Sequence, residues 1–263
     1  MRRQAGVQFA PQYLTDSTER SSSGFSSAIH FGSARAAALA YDRQIDRNRQ
    51  PIAVIRSRSV VGGIRKRAFD VTAACAGLLF LFPLLLLIAL MVKLADRGPV
   101  IYMHRRIGRN GRSFSCLKFR TMVPDADTVL ERYLSADRQA AAEWRACRKL
   151  KDDPRVTPLG LVLRKTSLDE LPQLFNILVG DMSVVGPRPV VSAELANYGA
   201  SVEHYLSARP GLTGLWQVSG RNDIYYVSRV TLDRRYVEQW SFGRDLAIIL
   251  RTVIVVLSSR GCY

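Results

Sequence analysis

The chain contains one long apolar run, Val71 to Val92, which holds 22 uncharged residues. As a straight helix this run would be about 33 Å long at roughly 1.5 Å per residue, which is enough to span the hydrocarbon core of a bilayer. Pro83 lies near its middle and removes a backbone donor, so we expect a kink or a break there. If the helix breaks, each half is too short to cross a bilayer alone.

Basic residues flank the run on both sides. Arg65, Lys66 and Arg67 precede it. Further basic residues follow it, with Asp96 as the only acid among them: Lys93, Arg97, Arg105, Arg106, Arg109 and Arg112. Because Lys and Arg are enriched on the cytoplasmic side of membrane segments, a re-entrant hairpin that returns both flanks to one surface is favoured over a full span. A third alternative, a buried core helix, is disfavoured by the length of the run.

Size and charge narrow the class of protein. The 263 residues suffice for one well-buried domain plus appendages, and 38 Lys and Arg against 22 Asp and Glu give a net charge of +16. Such a chain is attracted to polyanions: nucleic acid, anionic lipid or phosphorylated substrates. The four cysteines have no CxxC spacing, which favours a reducing cytoplasm over a zinc site or a disulfide framework. Residues 1–60 lack a long apolar core and predict a flexible, basic, Ser-rich leader instead of a secretory signal.

A segment after the apolar run is basic throughout. It has no acidic residue between Asp96 and Asp125. Its apolar stretches, Val100 to Tyr102 and Phe114 to Phe119, flank a glycine-containing turn and predict a β-hairpin. We expect this hairpin to lie against phosphates, which belong either to a substrate or to lipid head groups that are bound without chemistry.

The next two segments predict helices. Residues 125–150 predict one connecting helix, and a second helix is expected to begin near Leu168 with Thr166 or Ser167 as its N-cap. Ser167 and Glu170 match a capping box, in which the glutamate satisfies backbone donors of the first turn.

Asp169 lies beside Glu170 at the positive end of this predicted helix. It follows Arg164 and Lys165 and precedes Pro172, surroundings that keep a carboxylate ionised. An ionised aspartate can ligate Mg²⁺, or it can attack phosphorus once a metal and arginines neutralise the substrate's charge. The spacing alone does not choose between these roles.

Several different motifs occur along the chain from about Arg65 to its C-terminus. Around the apolar run and the hairpin they are Lys66-Arg67-x-x-Asp70, Arg106-x-Gly108-x-x-Gly111 and Lys118-Phe119-Arg120-Thr121-Met122. Further along they are Ser167-Leu168-Asp169-Glu170-Leu171-Pro172-Gln173 with Asn176, Gly180-Asp181-Met182-Ser183, Gly186-Pro187-Arg188-Pro189, Arg209-Pro210-Gly211-Leu212-Thr213-Gly214 and Gln217-Val218-Ser219-Gly220-Arg221. In combination these motifs resemble the bacterial monotopic phosphoglycosyl transferases, also called bacterial sugar transferases.

The resemblance implies transfer of a hexose-1-phosphate from a UDP-sugar to undecaprenyl phosphate, which gives an undecaprenyl-diphosphate sugar and UMP. At the matching positions it implies that Asp169 is the nucleophile, that an aspartyl phospho-sugar forms, and that Glu170 assists with Mg²⁺, for which both carboxylates are the expected ligands. Overall similarity is greatest to the galactose-1-phosphate transferases that start exopolysaccharide synthesis, so galactose is the expected sugar.

The resemblance also assigns phosphate contacts and a location. The candidate phosphate-binding residues are Lys118, Arg120, Arg164, Arg188 and Arg221. Residues 61–263 are expected to form an α/β, mostly helical domain on the cytoplasmic face of the bacterial inner membrane. A re-entrant helix at 71–92 and amphipathic interfacial helices are expected to hold it there. The apolar C-terminal stretch Leu246 to Leu257 fits either such an interfacial helix or a core helix. The implied partners are the UDP-sugar, undecaprenyl phosphate, the cytoplasmic leaflet and downstream glycosyltransferases, without nucleic acid.

Two features depart from the usual family pattern. His104 occupies a position where many members have Gln, and Phe82 precedes Pro83 where some relatives have a small hydroxylated residue. Two rival functions stay open from the residues: a non-catalytic, membrane-tethered basic protein that binds nucleic acid or anionic lipid, and a membrane phosphatase or nucleotidyl transferase. The first rival does not explain an Asp-Glu pair, a Pro-Arg-Pro segment and clustered glycines within one stretch.

Overall fold

The apolar run lies within one helix, α1, which extends from Gly63 to Asp96 and has 34 residues. The structure, a computed structural model, describes residues 60–147, 150–220 and 225–257. The predicted leader therefore lies outside the described residues except for Val60, and the boundary near residue 60 stays a prediction. Because α1 continues past Pro83, the break that we considered there does not occur.

The surface of α1 is mostly apolar and exposed. Only 17% of its most apolar window is buried, and Leu79 and Phe80 are 82% and 84% exposed. This exposure is the opposite of what a buried core helix shows. Among the described residues, α1 alone is long and apolar enough to cross a membrane. Whether it crosses or turns back stays a prediction.

The predicted basic hairpin is confirmed. Strand β1 (Ile101–Ile107) pairs antiparallel with β2 (Ser113–Phe119), and a 3₁₀ turn at Arg109–Gly111 joins them. The register places Tyr102 opposite Lys118 and His104 opposite Cys116. Because side chains alternate along a strand, these four residues lie on one face of the hairpin.

The segment predicted as one connecting helix forms two, α2 (Ala126–Ala136) and α3 (Arg138–Cys147). Asp137 separates them because its Oδ1 accepts hydrogen bonds from the backbone N–H groups of Gln139 and Ala140, at 2.7 and 3.1 Å. An aspartate in this position caps a new helix instead of continuing the old one. The next helix, α4 (Pro158–Thr166), begins with Thr157, whose Oγ1 accepts from the N–H of Gly160 at 2.9 Å.

The remainder is mostly helical, as expected. Its elements are α5 (Gln173–Val179), β3 (Ser183–Val185), α6 (Ser192–Leu195), a 3₁₀ segment (Ala196–Ser201), α7 (Val202–Ser207), β4 (Gly211–Thr213), α8 (Tyr226–Glu238) and α9 (Phe242–Leu257). Strands β3 and β4 are parallel. They approach closely at two glycines: a Cβ on Gly211 would lie 2.1 Å from the backbone nitrogen of Gly186, so neither position has room for a side chain.

A buried ionic cluster joins the start of α1 to α9 and β3. Lys66 Nζ lies 2.7 Å from Asp245 Oδ2 on α9 and 3.8 Å from Asp70 Oδ1. Asp70 Oδ1 in turn accepts from Ser183 Oγ at 2.9 Å and from the N–H of Val184 at 3.0 Å. We call Lys66, Asp70 and Asp245 the anchor cluster. Lys66 is only 5% exposed, so it is not a basic flank at a membrane surface, contrary to our use of it in the sequence argument.

Arg67 has a comparable internal role. Its guanidinium donates to the carbonyls of Ile177 and Leu178 at 2.6 and 2.8 Å, in the last turn of α5. The last carbonyls of a helix lack the usual partners within it; among the described residues that of Ile177 otherwise accepts only from the capping N–H of Gly180 at 3.1 Å, and a cation there complements the helix dipole. Two of the three basic residues before the apolar run therefore hold α1 against the domain, which weakens the flanking-charge argument for the hairpin path.

We predict that Lys66→Met lowers the free energy of unfolding by about 3 kcal/mol, because it leaves two buried carboxylates without their cation. The matched control is Lys93→Met near the other end of α1, where the ammonium is exposed and, within the described part of the chain, contacts only the backbone carbonyls of Arg97 and Gly98, at 3.1 and 3.4 Å. Thermal unfolding in detergent micelles measures both. Equal midpoints for the two variants would contradict the anchoring role of Lys66.

Candidate active site

The Asp-Glu pair lies in a short 3₁₀ turn, Leu168–Glu170, between α4 and α5. Ser167 has a positive φ of 58° and makes no side-chain cap, because an N-cap requires extended backbone. The predicted capping box is therefore wrong, and the following helix begins at Gln173 instead of near Leu168. Glu170 is free of that role, and its carboxylate points to the hairpin.

Asp169 is 7% exposed. Burial raises its pKa to about 6, and the neighbouring Glu170 adds to that effect, while the cations of Lys118 and Arg164 oppose it. The carboxylate is thus more basic than an ordinary aspartate and still mostly ionised at neutral pH. Those are the properties of a nucleophile or a metal ligand.

Lys118 on β2 connects the two carboxylates. Its Nζ lies 2.5 Å from Glu170 Oε1 and 3.8 Å from Asp169 Oδ2. Burial alone would lower the pKa of this lysine, but Glu170 and Asp169 raise it above its usual value. The structure therefore brings Lys118, Asp169 and Glu170 together, with the lysine held as a cation.

The other predicted phosphate-binding residues lie in different surroundings. Arg164 lies in the field of Asp169 and donates from Nε to Thr121 Oγ1 at 2.9 Å. Arg120 is buried in an ion pair with Asp96, in the last turn of α1, which ties the hairpin to that helix, and its predicted phosphate contact stays a prediction. Arg221 lies outside the described residues.

A strip of cationic and aromatic side chains extends from Lys118 to Trp216. His104 Nδ1 is 3.1 Å from Arg106 Nη2, and both lie on the hairpin face that carries Lys118. Arg188 lies in the electrostatic field of Arg106 and within 5.6 Å of the centre of the Trp216 ring, which Arg229 approaches to 4.9 Å. We call these residues the cationic strip: Lys118, His104, Arg106, Arg188, Arg229 and Trp216.

The sequence prediction missed four members of this strip as site residues: His104, Arg106, Arg229 and Trp216. Alternation along the predicted hairpin could have placed His104 and Arg106 on the face that carries Lys118, whereas no local signal marks Arg229 or Trp216. Burial, together with the cations of Arg106 and Lys118, lowers the pKa of His104 to about 4. This ring is therefore neutral at pH 7. Acids approach the strip at two members: Glu170 and Asp169 contact Lys118, and Glu194 lies 3.9 Å from Arg106. Like charges so close together are unfavourable unless an anion lies between them.

The carboxylate pair fits Mg²⁺ only with help from a substrate. The described residues contain no group of three side chains that could hold a metal. Mg²⁺ is, however, commonly bound by one or two carboxylates together with substrate phosphates and water. Asp169 and Glu170 supply two carboxylates of that kind, and in this structure both contact Lys118.

A buried basic aspartate, a bridging lysine and an adjacent cationic strip define a site for group transfer from a phosphorylated substrate. Comparison with known proteins agrees: residues 61–259 match the pattern of the bacterial sugar transferases. The chain belongs to this family, and the predicted class of enzyme, a phosphoglycosyl transferase, is confirmed.

The relatives that it resembles cover most of the described domain. The exopolysaccharide production protein ExoY of Rhizobium meliloti strain 1021 is 58% identical over 203 residues, which are 77% of this chain and 90% of that protein. The undecaprenyl-phosphate galactose phosphotransferase of Salmonella typhimurium strain LT2 is 52% identical over 198 residues, 75% of this chain but 41% of that protein. A UDP-glucose:undecaprenyl-phosphate glucose-1-phosphate transferase of Caulobacter vibrioides is 41% identical over 208 residues, 76% of this chain and 72% of that protein.

We predict that Asp169→Asn stabilises the fold by roughly 2 kcal/mol at pH 8 and has little effect near pH 4. Because the pKa of Asp169 is raised to about 6, its buried charge destabilises the folded state above pH 6. This destabilisation disappears as pH falls from 6 towards 3.8, the pKa of an ordinary aspartate. Thermal unfolding midpoints across this range measure the difference.

The matched control is Asp153→Asn. Burial alone would raise the pKa of Asp153, but its hydrogen bonds with Arg155, 2.6 Å at the closest, lower it. That carboxylate stabilises the fold above its unfolded pKa, and the contribution is lost as pH falls through its folded pKa. Asp153→Asn is therefore expected to destabilise at pH 8. If both variants raise, or both lower, the unfolding midpoint at pH 8, the result contradicts a destabilising buried charge on Asp169.

Proposed function

We propose that the protein transfers hexose-1-phosphate from a UDP-sugar to undecaprenyl phosphate, giving undecaprenyl-diphosphate sugar and UMP. The observation that carries this proposal is the position of Asp169, buried beside Lys118 and Glu170 at one end of the cationic strip. The names of the relatives supply the donor and acceptor classes. Galactose is the proposed sugar because the relative named for galactose is more similar to this chain than the one named for glucose. The similarity to ExoY supports a role in exopolysaccharide synthesis.

The proposed reaction has two displacements at one phosphorus atom. A carboxylate oxygen of Asp169 attacks the β-phosphorus and forms an O–P bond, while the bond from that phosphorus to the bridging oxygen breaks and UMP leaves with the electron pair. A phosphate oxygen of the lipid then attacks the phosphorus of the aspartyl phospho-sugar, and Asp169 leaves as a carboxylate. The soluble donor product can depart before the lipid enters, which suits substrates of such different polarity.

The surroundings of Asp169 support the first displacement. With a pKa of about 6 the carboxylate is ionised at neutral pH, and burial removes the water that would otherwise weaken its attack. Lys118 and the arginines of the strip offer positive charge to the diphosphate, which offsets the repulsion between two anions. His104 is neutral and can accept the hydrogen bond from Arg106 without adding to that charge.

Mg²⁺ is proposed as the cofactor, with Asp169 and Glu170 as its protein ligands. When bound, it would neutralise phosphate charge. Lys118, which contacts both carboxylates, would add its positive charge to that of the ion.

The proposed location is the cytoplasmic face of the inner membrane. Two apolar surfaces support it: the exposed part of α1 and one side of α9, where Leu246, Leu250, Val253 and Ile254 are exposed. Amphipathic helices with such faces lie in the interface plane. The proposed partners are the UDP-sugar, undecaprenyl phosphate, this leaflet and downstream glycosyltransferases. We also propose that α1, although unbroken at Pro83, enters the bilayer with both ends on the cytoplasmic side.

The first experiment uses the full chain in lipid discs with Mg²⁺ and a panel of UDP-sugars, without acceptor lipid. We expect a stoichiometric burst of UMP and a phospho-sugar mass increment on the peptide that carries Asp169, largest with UDP-galactose. The matched variants are Asp169→Asn, which should abolish both signals, and Asp153→Asn, which should retain both.

The alternatives give different products. A phosphatase releases inorganic phosphate, and a nucleotidyl transferase releases diphosphate. An adduct on another residue, or UMP release only when lipid is also present, would reject the aspartyl intermediate. No turnover with any donor from folded protein, with and without lipid, would favour a non-catalytic anion-binding protein.

The membrane path of α1 can be tested with single cysteines at Ile64 and Leu94, both exposed near its two ends. With native cysteines replaced, an impermeant maleimide should label neither site in intact spheroplasts and both in inverted vesicles if α1 is re-entrant. Labelling of one site alone in spheroplasts would establish a full span.

A further inference from the structure

The guanidinium of Arg106 lies between two acceptors, His104 and Glu194. Its Nη2 is 3.1 Å from Nδ1 of His104, which is the length of a hydrogen bond. Its Nη1 is 3.9 Å from Oε2 of Glu194, which is close enough for an ion pair but too long for a hydrogen bond. The guanidinium is therefore bound to the imidazole and only attracted by the carboxylate.

His104 lies on the side of Arg106 that is nearer to Lys118. The two residues are two positions apart on one face of β1, which is roughly 7 Å along the strand. His104 pairs with Cys116, so Lys118 is its diagonal neighbour on β2, about 7–8 Å away. By bonding to His104, Arg106 turns its guanidinium back along the hairpin towards Lys118.

Glu194 lies towards the other end of the hairpin. Its segment joins β1 at the last residue of the strand, where the N–H of Ile107 donates to the carbonyl of Val190 at 2.9 Å. The backbone of Glu194 is itself held by α8, because its carbonyl accepts from the hydroxyl of Tyr226 at 3.2 Å. A guanidinium bound to Glu194 would therefore lie farther from Lys118 than one bound to His104.

The ring of His104 can bind Arg106 in only one protonation state. A guanidinium has N–H donors and no acceptor, so Nδ1 must carry a lone pair, and the neutral ring has its proton on Nε2. Burial and the cation of Arg106 keep the ring neutral at pH 7, with a pKa of about 4. Two of the five N–H groups of Arg106 face the two acceptors, which leaves three for an anion.

We propose that His104 is a positioning residue for Arg106, whose guanidinium it holds on the Lys118 side, away from Glu194, in contact with the diphosphate of the donor. This inference rests on the proposed function for its effect on donor binding. The structural alternative is that both acceptors only fasten the hairpin to α6. In that case the loss of either one lowers the unfolding midpoint without a change in donor binding.

The first test changes the acceptor at position 104. His104→Phe keeps a ring but no nitrogen, and His104→Asn places an amide oxygen near the position of Nδ1. We expect His104→Phe to raise the half-saturating UDP-sugar concentration for the UMP burst by about tenfold, the lower end of what a hydrogen bond to a charged group contributes. The maximal burst rate should stay within about twofold, because Arg106 binds the donor without taking part in the displacement. His104→Asn should recover most of the wild-type value.

The second test removes the competing acceptor. Glu194→Gln alone should not raise the half-saturating concentration. When it is added to His104→Phe it should reverse part of the increase, because the carboxylate that draws the guanidinium away is gone. The alternative predicts that the two substitutions add.

Neighbouring arginines supply the control for charge. Arg105→Ala and Arg106→Ala remove the same charge at adjacent positions, but Arg105 is exposed on the opposite face of the strand. Only Arg106→Ala should raise the half-saturating concentration. An equal increase in both variants would show a general effect of charge and overturn the proposal.

A third readout does not depend on catalysis. The chain contains three histidines, so ¹⁵N labelling of histidine with His104→Asn for assignment isolates the ring of His104. We expect an unprotonated Nδ1 at pH 7 whose resonance shifts in Arg106→Ala and stays in place in Arg105→Ala. If the wild type releases no UMP, the proposed function fails, and this spectrum still decides whether His104 holds Arg106. It also decides the matter if His104→Phe does not fold.

The proposal is overturned by a protonated Nδ1, or by an Nδ1 resonance that does not move in Arg106→Ala. In a wild type that releases UMP, it is equally overturned if folded His104→Phe saturates at the wild-type concentration, or if Glu194→Gln adds to the effect of His104→Phe.

Discussion

The buried lysine of α1 holds together parts of the chain that are far apart in sequence. Lys66 pairs with Asp245, which is 179 positions away, and its other neighbour, Asp70, contacts β3. A buried ion pair adds little net free energy compared with well-packed apolar side chains, but one partner without the other is costly. The anchor cluster therefore excludes other placements of α1. Arg67 likewise ties α1 to α5, the helix that follows the Asp-Glu turn. The adjacent residues Lys66 and Arg67 therefore set the position of the apolar helix relative to Asp169.

The candidate site balances burial against charge. Burial raises the pKa of Asp169 to about 6, while the cation of Lys118 opposes that rise, and the balance leaves a carboxylate that is more basic than usual and mostly ionised at pH 7. Glu170 takes the shorter contact with the lysine. Two adjacent carboxylates thus have different environments, a division that is typical of pairs with separate chemical roles.

Local patterns predicted what is local. Alternation and a glycine-containing turn were enough to predict the β1 to β2 hairpin, and Asp169 and Lys118, both named as candidates before the structure, lie within 3.8 Å of each other. The errors concern side chains whose partners are distant. Lys66 resembles a membrane flank in sequence, yet its partner is the buried Asp245, and the ion pair of Arg120 with Asp96 at the end of α1 was not predicted either. The spacing of residues along a helix or strand does not reveal ion pairs between residues that are distant in sequence. The capping box failed for a different reason, because the backbone of Ser167 is left-handed, a property that side-chain spacing does not specify.

The close approach of β3 and β4 at Gly186 and Gly211 affects how such an enzyme can change over evolutionary time. Each glycine excludes a side chain on the other strand, so the two positions are constrained jointly, and a substitution at either would displace the segment that leads into Arg188. New donor preferences are therefore expected to arise away from this crossing. The β1 to β2 hairpin is the more permissive region, because its outer residues Tyr102 and Met103 are exposed and have space to vary.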